Sequence, residues 1–266
     1  RDFECRAVGG DHHSMHWHKG EVIDPPTLDT TDLTIHPPAY SGLPATPVDG
    51  PARVLAGSSI SVEGVSPTPL REGILVVDGG EKFSLQIDET TKVHLPAGTW
   101  HASLPEGIER LVELEVRLTG ENGLHGSVSP QRLRIIADSV PEVNWREPSA
   151  DLHVLPTAVI PITAAASDNL AIAKGELRID VARTMEGDDD PERADDAPSA
   201  PSATIPLYSL ASPPSLATLP ATGVRLDERE FHTELQLADH QVQPGDTVTL
   251  TVIATDFRPG EGGATT

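Results

Sequence analysis

His12-His13-Ser14-Met15-His16-Trp17-His18 is the densest run of metal-ligating side chains in the chain. His16 and His18 alternate, so on a strand both imidazoles share a face, and His12 or His13 can reach them from a preceding loop; such a set suits a transition metal. A solvated, histidine-rich loop explains the same residues, and no repeated His-x-His partner stands elsewhere. Asp168, Asn169 and Asp256 form a second set with harder chemistry. If they occupy the B–C and F–G loops of a β-sandwich, those loops meet at one end and the oxygens could hold Ca2+, as in cadherin-like modules. The plainer reading is that Asp and Asn serve as turn residues that bond their own backbone. Neither an EF-hand Asp-x-Asp-x-Asp string nor a cadherin-type Asp-x-Asn-Asp string is present. The sequence implies no cofactor.

Catalytic signatures are missing from the sequence: it has no HExxH, no Walker loop and no paired Cys, and Leu55-Ala56-Gly57-Ser58-Ser59 lacks the second Gly of a nucleophile elbow. We therefore expect no enzyme in this segment. The 266 residues carry 41 Asp+Glu against 19 Lys+Arg, a formal charge of −22, which repels phosphate backbones and anionic lipid. Nucleic acid and direct membrane insertion are excluded as expectations, since no apolar run is long enough to span a bilayer. Trp17, Trp100 and Trp145 occupy unrelated positions and read as core or linker packing rather than a sugar platform.

The elements that must position these residues are strands. Phe3 to Asp11, Leu114 to Asn122 and Leu250 to Asp256 share one pattern, an alternating strand running into a Gly/Asp turn, at the ~110 to 135 residue spacing of a β-sandwich module. Superposing the copies places Cys5 on Val116 and Val252, so Cys5 is expected in a core. With 3% aromatic residues, 25 Pro and 22 Gly, the chain reads as all-β, as tandem immunoglobulin-like or cadherin-like sandwiches, the first and last truncated. Residues 1–26 read as the C-terminal strands of an upstream module, 27–140 as a complete sandwich, and 141–266 as a sandwich lacking its last strand. The chain then reads as a fragment, with any signal peptide or anchor outside it.

In the first complete module, alternation predicts strands at Leu33/Ile35, Ile60/Val62, Phe83/Leu85/Ile87, Leu114/Val116/Leu118 and Leu133/Ile135, and Val77-Asp78-Gly79-Gly80-Glu81 predicts a hairpin. In the second, strands are expected at Val154 to Leu155, Val159 to Ala165, Gly175 to Val181, Phe231 to Leu237 and Thr247 to Thr255. Asp24-Pro25-Pro26 and Asp138-Ser139-Val140-Pro141 read as matching linkers. Between Glu186 and Thr204 (186–204) the Asp-, Pro-, Ala- and Ser-rich run reads as a disordered acidic insertion, too polar to offset its ordering entropy.

Three segments carry a family resemblance: His36-Pro37-Pro38-Ala39-Tyr40-Ser41-Gly42-Leu43-Pro44, Ala166-Ser167-Asp168-Asn169-Leu170-Ala171-Ile172-Ala173-Lys174-Gly175-Glu176-Leu177, and Leu237-Ala238-Asp239-His240-Gln241-Val242-Gln243-Pro244-Gly245-Asp246. Together they resemble the immunoglobulin-like repeats of large uncharacterised envelope proteins of planctomycete-type bacteria, a domain-of-unknown-function group. The resemblance implies an extracytoplasmic, non-enzymatic spacer or interaction segment whose partner is an unknown protein or envelope component. Alternatives are a Ca2+-dependent cadherin-like adhesion module, or an accessory module of a secreted hydrolase. Phe257-Arg258-Pro259 departs from the family pattern where Asn or Asp is usual, which removes one potential calcium ligand.

Overall fold

A computed structural model describes residues 2–6, 16–105, 109–183, 203–219 and 226–259, together with the backbone of 263–265. The acidic insertion at 186–204 lies outside the described residues up to position 202; from Ala203 the chain is a strand.

Strands β1 (Asp2–Cys5) and β2 (His18–Glu21) form a two-stranded antiparallel ladder. Cys5 is exposed, contrary to the expectation of a core position. The reason is geometric: a two-stranded ladder has no facing sheet, and every described residue of β1 is exposed. Phe3 folds over Gly20 across the ladder instead. Trp17 is likewise exposed, with the Arg6 guanidinium 4.7 Å from its ring centre, so the packing expectation fails there.

The first sandwich contains β3 (Thr30–His36), β4 (Thr46–Pro47), β5 (Ala52–Leu55), β6 (Ser59–Val65), β7 (Leu70–Val77), β8 (Glu81–Ser84), β9 (Gln86–Asp88), β10 (Lys92–Leu95), β11 (Glu109–Gly120), β12 (His125–Ser127) and β13 (Gln131–Ile136). One sheet runs β4-β3-β6-β10-β9 and the other β5-β13-β11-β7-β8, with β12 beside β11. Alternation makes β11 amphipathic: Val112, Leu114, Val116 and Leu118 point inward while Glu113, Glu115 and Arg117 face out. Trp100 completes this core. The β7–β8 hairpin forms as predicted, with Asp78 and Gly79 at φ +49 and +69. Phe83/Leu85/Ile87, expected as one strand, divides at buried Leu85: β8 pairs with β7, whereas β9 pairs with β10 of the opposite sheet.

The second sandwich contains β14 (Glu142–Glu147), β15 (Val159–Asp168), β16 (Ile172–Ala182), β17 (Ala203–Ser209), β18 (Asp227–Gln236), β19 (Thr247–Asp256) and β20 (Gly263–Thr265). Its sheets are β14-β15-β18 and β17-β16-β19-β20 around a separate core. Small residues Ala164, Ala166 and Ala254 leave room there for Phe231, whose ring occupies the space where Gly175 lacks a Cβ. Trp145 is half-buried and donates its indole N–H to the Pro148 carbonyl at 2.7 Å. Val154 and Leu155, expected as a strand, are exposed and belong to no ladder; the Leu155 carbonyl instead accepts the Ala158 N–H at 2.9 Å in a turn. A three-residue β20 lies on the β19 edge, where the sequence reading left no partner.

The ladders correspond strand for strand. β3, β6, β10, β7, β8, β11 and β13 have the neighbours that β14, β15, β18, β16, β17, β19 and β20 have. Thr30 pairs with Val65 as Glu142 pairs with Ser167, and Leu70 with Gly120 as Ile172 with Asp256. This register makes Ser66 the counterpart of Asp168 and Gly120 that of Asp256. Counting four residues back from Thr30 and from Glu142 pairs Pro26 with Asp138.

Among the described residues, two segments join the sandwiches. One is the linker between β13 and β14. The other is the segment after β17, which crosses to the first sandwich, where Leu216 donates its N–H to the Gly42 carbonyl at 3.0 Å. Gly42 has φ +67 and the Pro214 carbonyl lies where its Cβ would stand, so only glycine fits. Ala217, Thr218 and Leu219 then border a cleft lined by Ile35, Leu43, Val54 and Leu55.

Candidate functional site

β15 and β19 each end in an aspartate at the linker end of the second sandwich. Both aspartates are turn residues, as the sequence suggests. Asp168 Oδ2 accepts the Leu170 N–H at 2.7 Å, and Asp256 Oδ1 accepts the Arg258 N–H at 3.0 Å. The linker brings a third carboxylate, Asp138. Asn169 fixes its course, because Asn169 Oδ1 accepts both the Ser139 N–H (3.3 Å) and the Ser139 hydroxyl (2.8 Å).

All three carboxylates are buried: Asp168 is 0% exposed, Asp256 6% and Asp138 9%. Each retains one buried oxygen without a hydrogen-bond partner, namely Asp168 Oδ1, Asp256 Oδ2 and Asp138 Oδ1. Buried carboxylate oxygens are normally satisfied, so three in one place call for an explanation. Arg258 is the nearby cation. Its Nη1 donates to the Asp138 backbone carbonyl at 3.0 Å, and its Nη2 stands 3.8 Å from Asp256 Oδ2, outside hydrogen-bond range. Three carboxylates thus face one neighbouring guanidinium.

The electrostatics follow. Burial, then the charges of Asp168 and Asp256, push the Asp138 carboxyl up to about 6, with Arg258 and Asn169 acting in the opposite sense. Burial also raises Asp168, offset in part by backbone N–H donors, and raises Asp256, offset by the Arg258 N–H and guanidinium. Tyr40, in a 3-10 turn of the first sandwich, hydrogen-bonds Asp138; burial and then the Asp138 charge raise its phenol above the ordinary range, so it stays neutral. Adjacent Asp227 shows the contrasting, satisfied case: it accepts the Ile172 N–H at 2.9 Å and pairs with Arg229 at 2.7 Å.

The structure thus brings the Asp168 and Asp256 ends together and uses Asn169 to hold the linker. Among the described residues no three His, Cys, Asp or Glu side chains are arranged as they stand so that they could hold a metal ion, and this includes the three aspartates. The three aspartates offer only hard oxygens, which fit Ca2+ or Mg2+ rather than a soft metal. Of the histidine set, His16 and His18 are exposed, His18 lying opposite Cys5 in the ladder. His12 and His13 lie outside the described residues.

Sequence reasoning missed Asp138, which it read only as linker. Matching the linkers by their Asp residues paired Asp138 with Asp24; the strand register pairs it with Pro26 instead. Asp24 is exposed, so the two aspartates have different surroundings. The available signal was an acidic residue entering a sandwich whose two loop aspartates face the incoming linker.

No protein-family model matches the chain. No curated protein matches it either. Among solved structures, the fibronectin(III)-like modules of Clostridium thermocellum CbhA align over 88% of this chain and 88% of theirs, at 14% identity and a TM-score of 0.26. Trypsin-activated alpha-2-macroglobulin from Escherichia coli aligns over 88% of this chain and 15% of its own, at 13% identity and a TM-score of 0.22. Its native conformation aligns over 92% and 15%, at 12% identity and a TM-score of 0.23. The immunoglobulin-like architecture stands on the observed sheets and cores, and at these scores the neighbours carry no argument about activity or partners.

Proposed function

We propose that this chain is a non-enzymatic spacer or interaction segment of a larger bacterial envelope protein, acting outside the cytoplasm and presenting its edge strands and loops to a protein or envelope component. The docking of the second sandwich on the first supports this reading most. A flexible tether needs no contact beyond the linker, whereas here Leu216 bonds Gly42 and Pro214 seats against a glycine with positive φ. A linker and a second crossing segment both connect the two sandwiches, an arrangement that favours the defined spacing a spacer requires. The envelope location rests on the resemblance carried by the 36–44, 166–177 and 237–246 segments.

Small-angle scattering of the intact chain in a chelator tests the reading. We expect one compact profile that a single arrangement of the two sandwiches fits. A profile needing a broad ensemble of inter-sandwich angles would contradict it.

A further inference from the structure

The geometry points to a divalent-cation site, with Ca2+ as the first candidate, at the junction of the two sandwiches, formed by Asp138, Asp168 and Asp256. This goes beyond the spacer reading and stands or falls without it.

Three independent observations meet here. The first is chemical: each aspartate keeps one buried oxygen that has no hydrogen-bond partner, that of Asp256 facing the Arg258 guanidinium only at 3.8 Å. The second is the charge balance. Three carboxylates face one neighbouring guanidinium, Arg258, and a divalent ion would offset the excess of acidic groups. The third is the first sandwich, where the matched positions at the same end hold no buried acid, Glu89 and Glu121 there being exposed. Pro26, Ser66 and Gly120 occupy the corresponding positions. Ser66 Oγ donates to the Thr68 carbonyl at 2.8 Å, and Pro26 packs its carbonyl against Gly126. The fold therefore closes this end with neutral, satisfied groups, and three buried acids in the second sandwich are not a structural requirement.

The three carboxylates do not stand as a ready metal-binding group, so their side chains would have to close on the ion, with backbone carbonyls and water completing the six to eight oxygens around Ca2+. That count places the affinity in the ~10⁻⁴ to 10⁻³ M class of extracellular modules. Asn169 acts beside the ion as a positioning residue, holding Ser139 and so the approach of Asp138. Arg258 competes with the ion for the same carboxylates and weakens binding without preventing it.

The test uses the intact chain. Thermal unfolding is followed in EDTA, in about 5 mM CaCl2, in about 5 mM MgCl2 and in NaCl of matched ionic strength, and calcium binding is titrated calorimetrically. Calcium should raise Tm by about 3 °C or more over matched NaCl, with one ion bound per chain. Asp256→Asn and Asp138→Asn should lose both the shift and the binding. Their calcium-free melting should equal or exceed that of the parent, because each removes a buried negative charge. If one variant fails to fold, the other decides. A shift from Mg2+ equal to that from Ca2+ supports the site and widens its ion. NaCl matching calcium, or Asn variants responding to calcium as the parent does, overturns it. Loss of calcium binding alongside a single rigid scattering profile would remove the cation site and leave the spacer; the opposite pair of results would remove the spacer alone.

Discussion

The same end of the two sandwiches is closed in two ways. In the first, Ser66 bonds Thr68, Leu70 donates its N–H to the Thr90 carbonyl at 2.7 Å, and Pro26 packs against Gly126; none of these groups is charged. In the second, Asp168 stands for Ser66, Asp256 for Gly120 and Asp138 for Pro26, and Ile172 donates to the Asp227 carboxylate where Leu70 uses a backbone carbonyl. One architecture thus accepts either chemistry. Buried carboxylates with open oxygens disfavour the folded state unless a counter-ion meets them. The comparison therefore separates what the sandwich needs from what has been added to it.

The strongest way to break this comparison is to move the charge. Ser66→Asp places an acid at a position 2% exposed and should destabilise the first sandwich by roughly 2 to 4 kcal/mol in urea unfolding. An unchanged unfolding midpoint would mean that this end tolerates acids freely, and the contrast would lose its force. Gly42→Val should cost about 1 to 3 kcal/mol, because a β-branched residue is strained at φ +67 and would meet the Pro214 carbonyl. It should also loosen the crossing segment, visible as faster proteolysis near residues 213–219 with the cores intact.

A pH series sharpens the contrast further. Asp138 is raised in the folded state from 3.8 to about 6, so the fold binds its proton more tightly than the unfolded chain does. In EDTA, stability should therefore be fullest below pH ~4 and decline as pH rises toward ~6, by on the order of 1 to 2 kcal/mol. Asp168, Asp256, Arg258, Asn169 and Tyr40 face this carboxyl. Asp138→Asn should flatten the decline, and a parent profile already flat across that range would contradict the assignment. The smallest effect is expected from Arg258→Gln. It removes a cation 3.8 Å from Asp256 Oδ2, lowers calcium-free stability by roughly 0.5 to 1 kcal/mol and enlarges the calcium-induced rise in Tm. A smaller rise would mean that Arg258 helps to build the site rather than competing for it.

Long central strands were readable in the sequence because alternation is strongest where a strand has one buried face. β11 and β19 place Val116 and Val252 opposite Leu75 and Leu177 of their neighbours. The Val77 to Glu81 hairpin was readable because Asp78 and Gly79 accept positive φ. Short strands such as β5, β10 and β17 gave too few alternations, and Pro141 hid β14 behind a linker signal. Cys5 was misplaced because alternation predicts a face and says nothing about whether a second sheet covers it. Asp168 and Asp256 were found as a pair. Asp138 was missed because its role depends on a strand register that shifts the linker match by two residues.

The most direct measurement is a calcium titration of the 15N-labelled chain, followed by amide chemical shifts at the two corresponding ends. The account predicts saturable shifts at and around Asp138, Asp168, Asn169 and Asp256, and no saturable change around Ser66 and Gly120. Shifts spread evenly over both ends, or none at the aspartates, would contradict it.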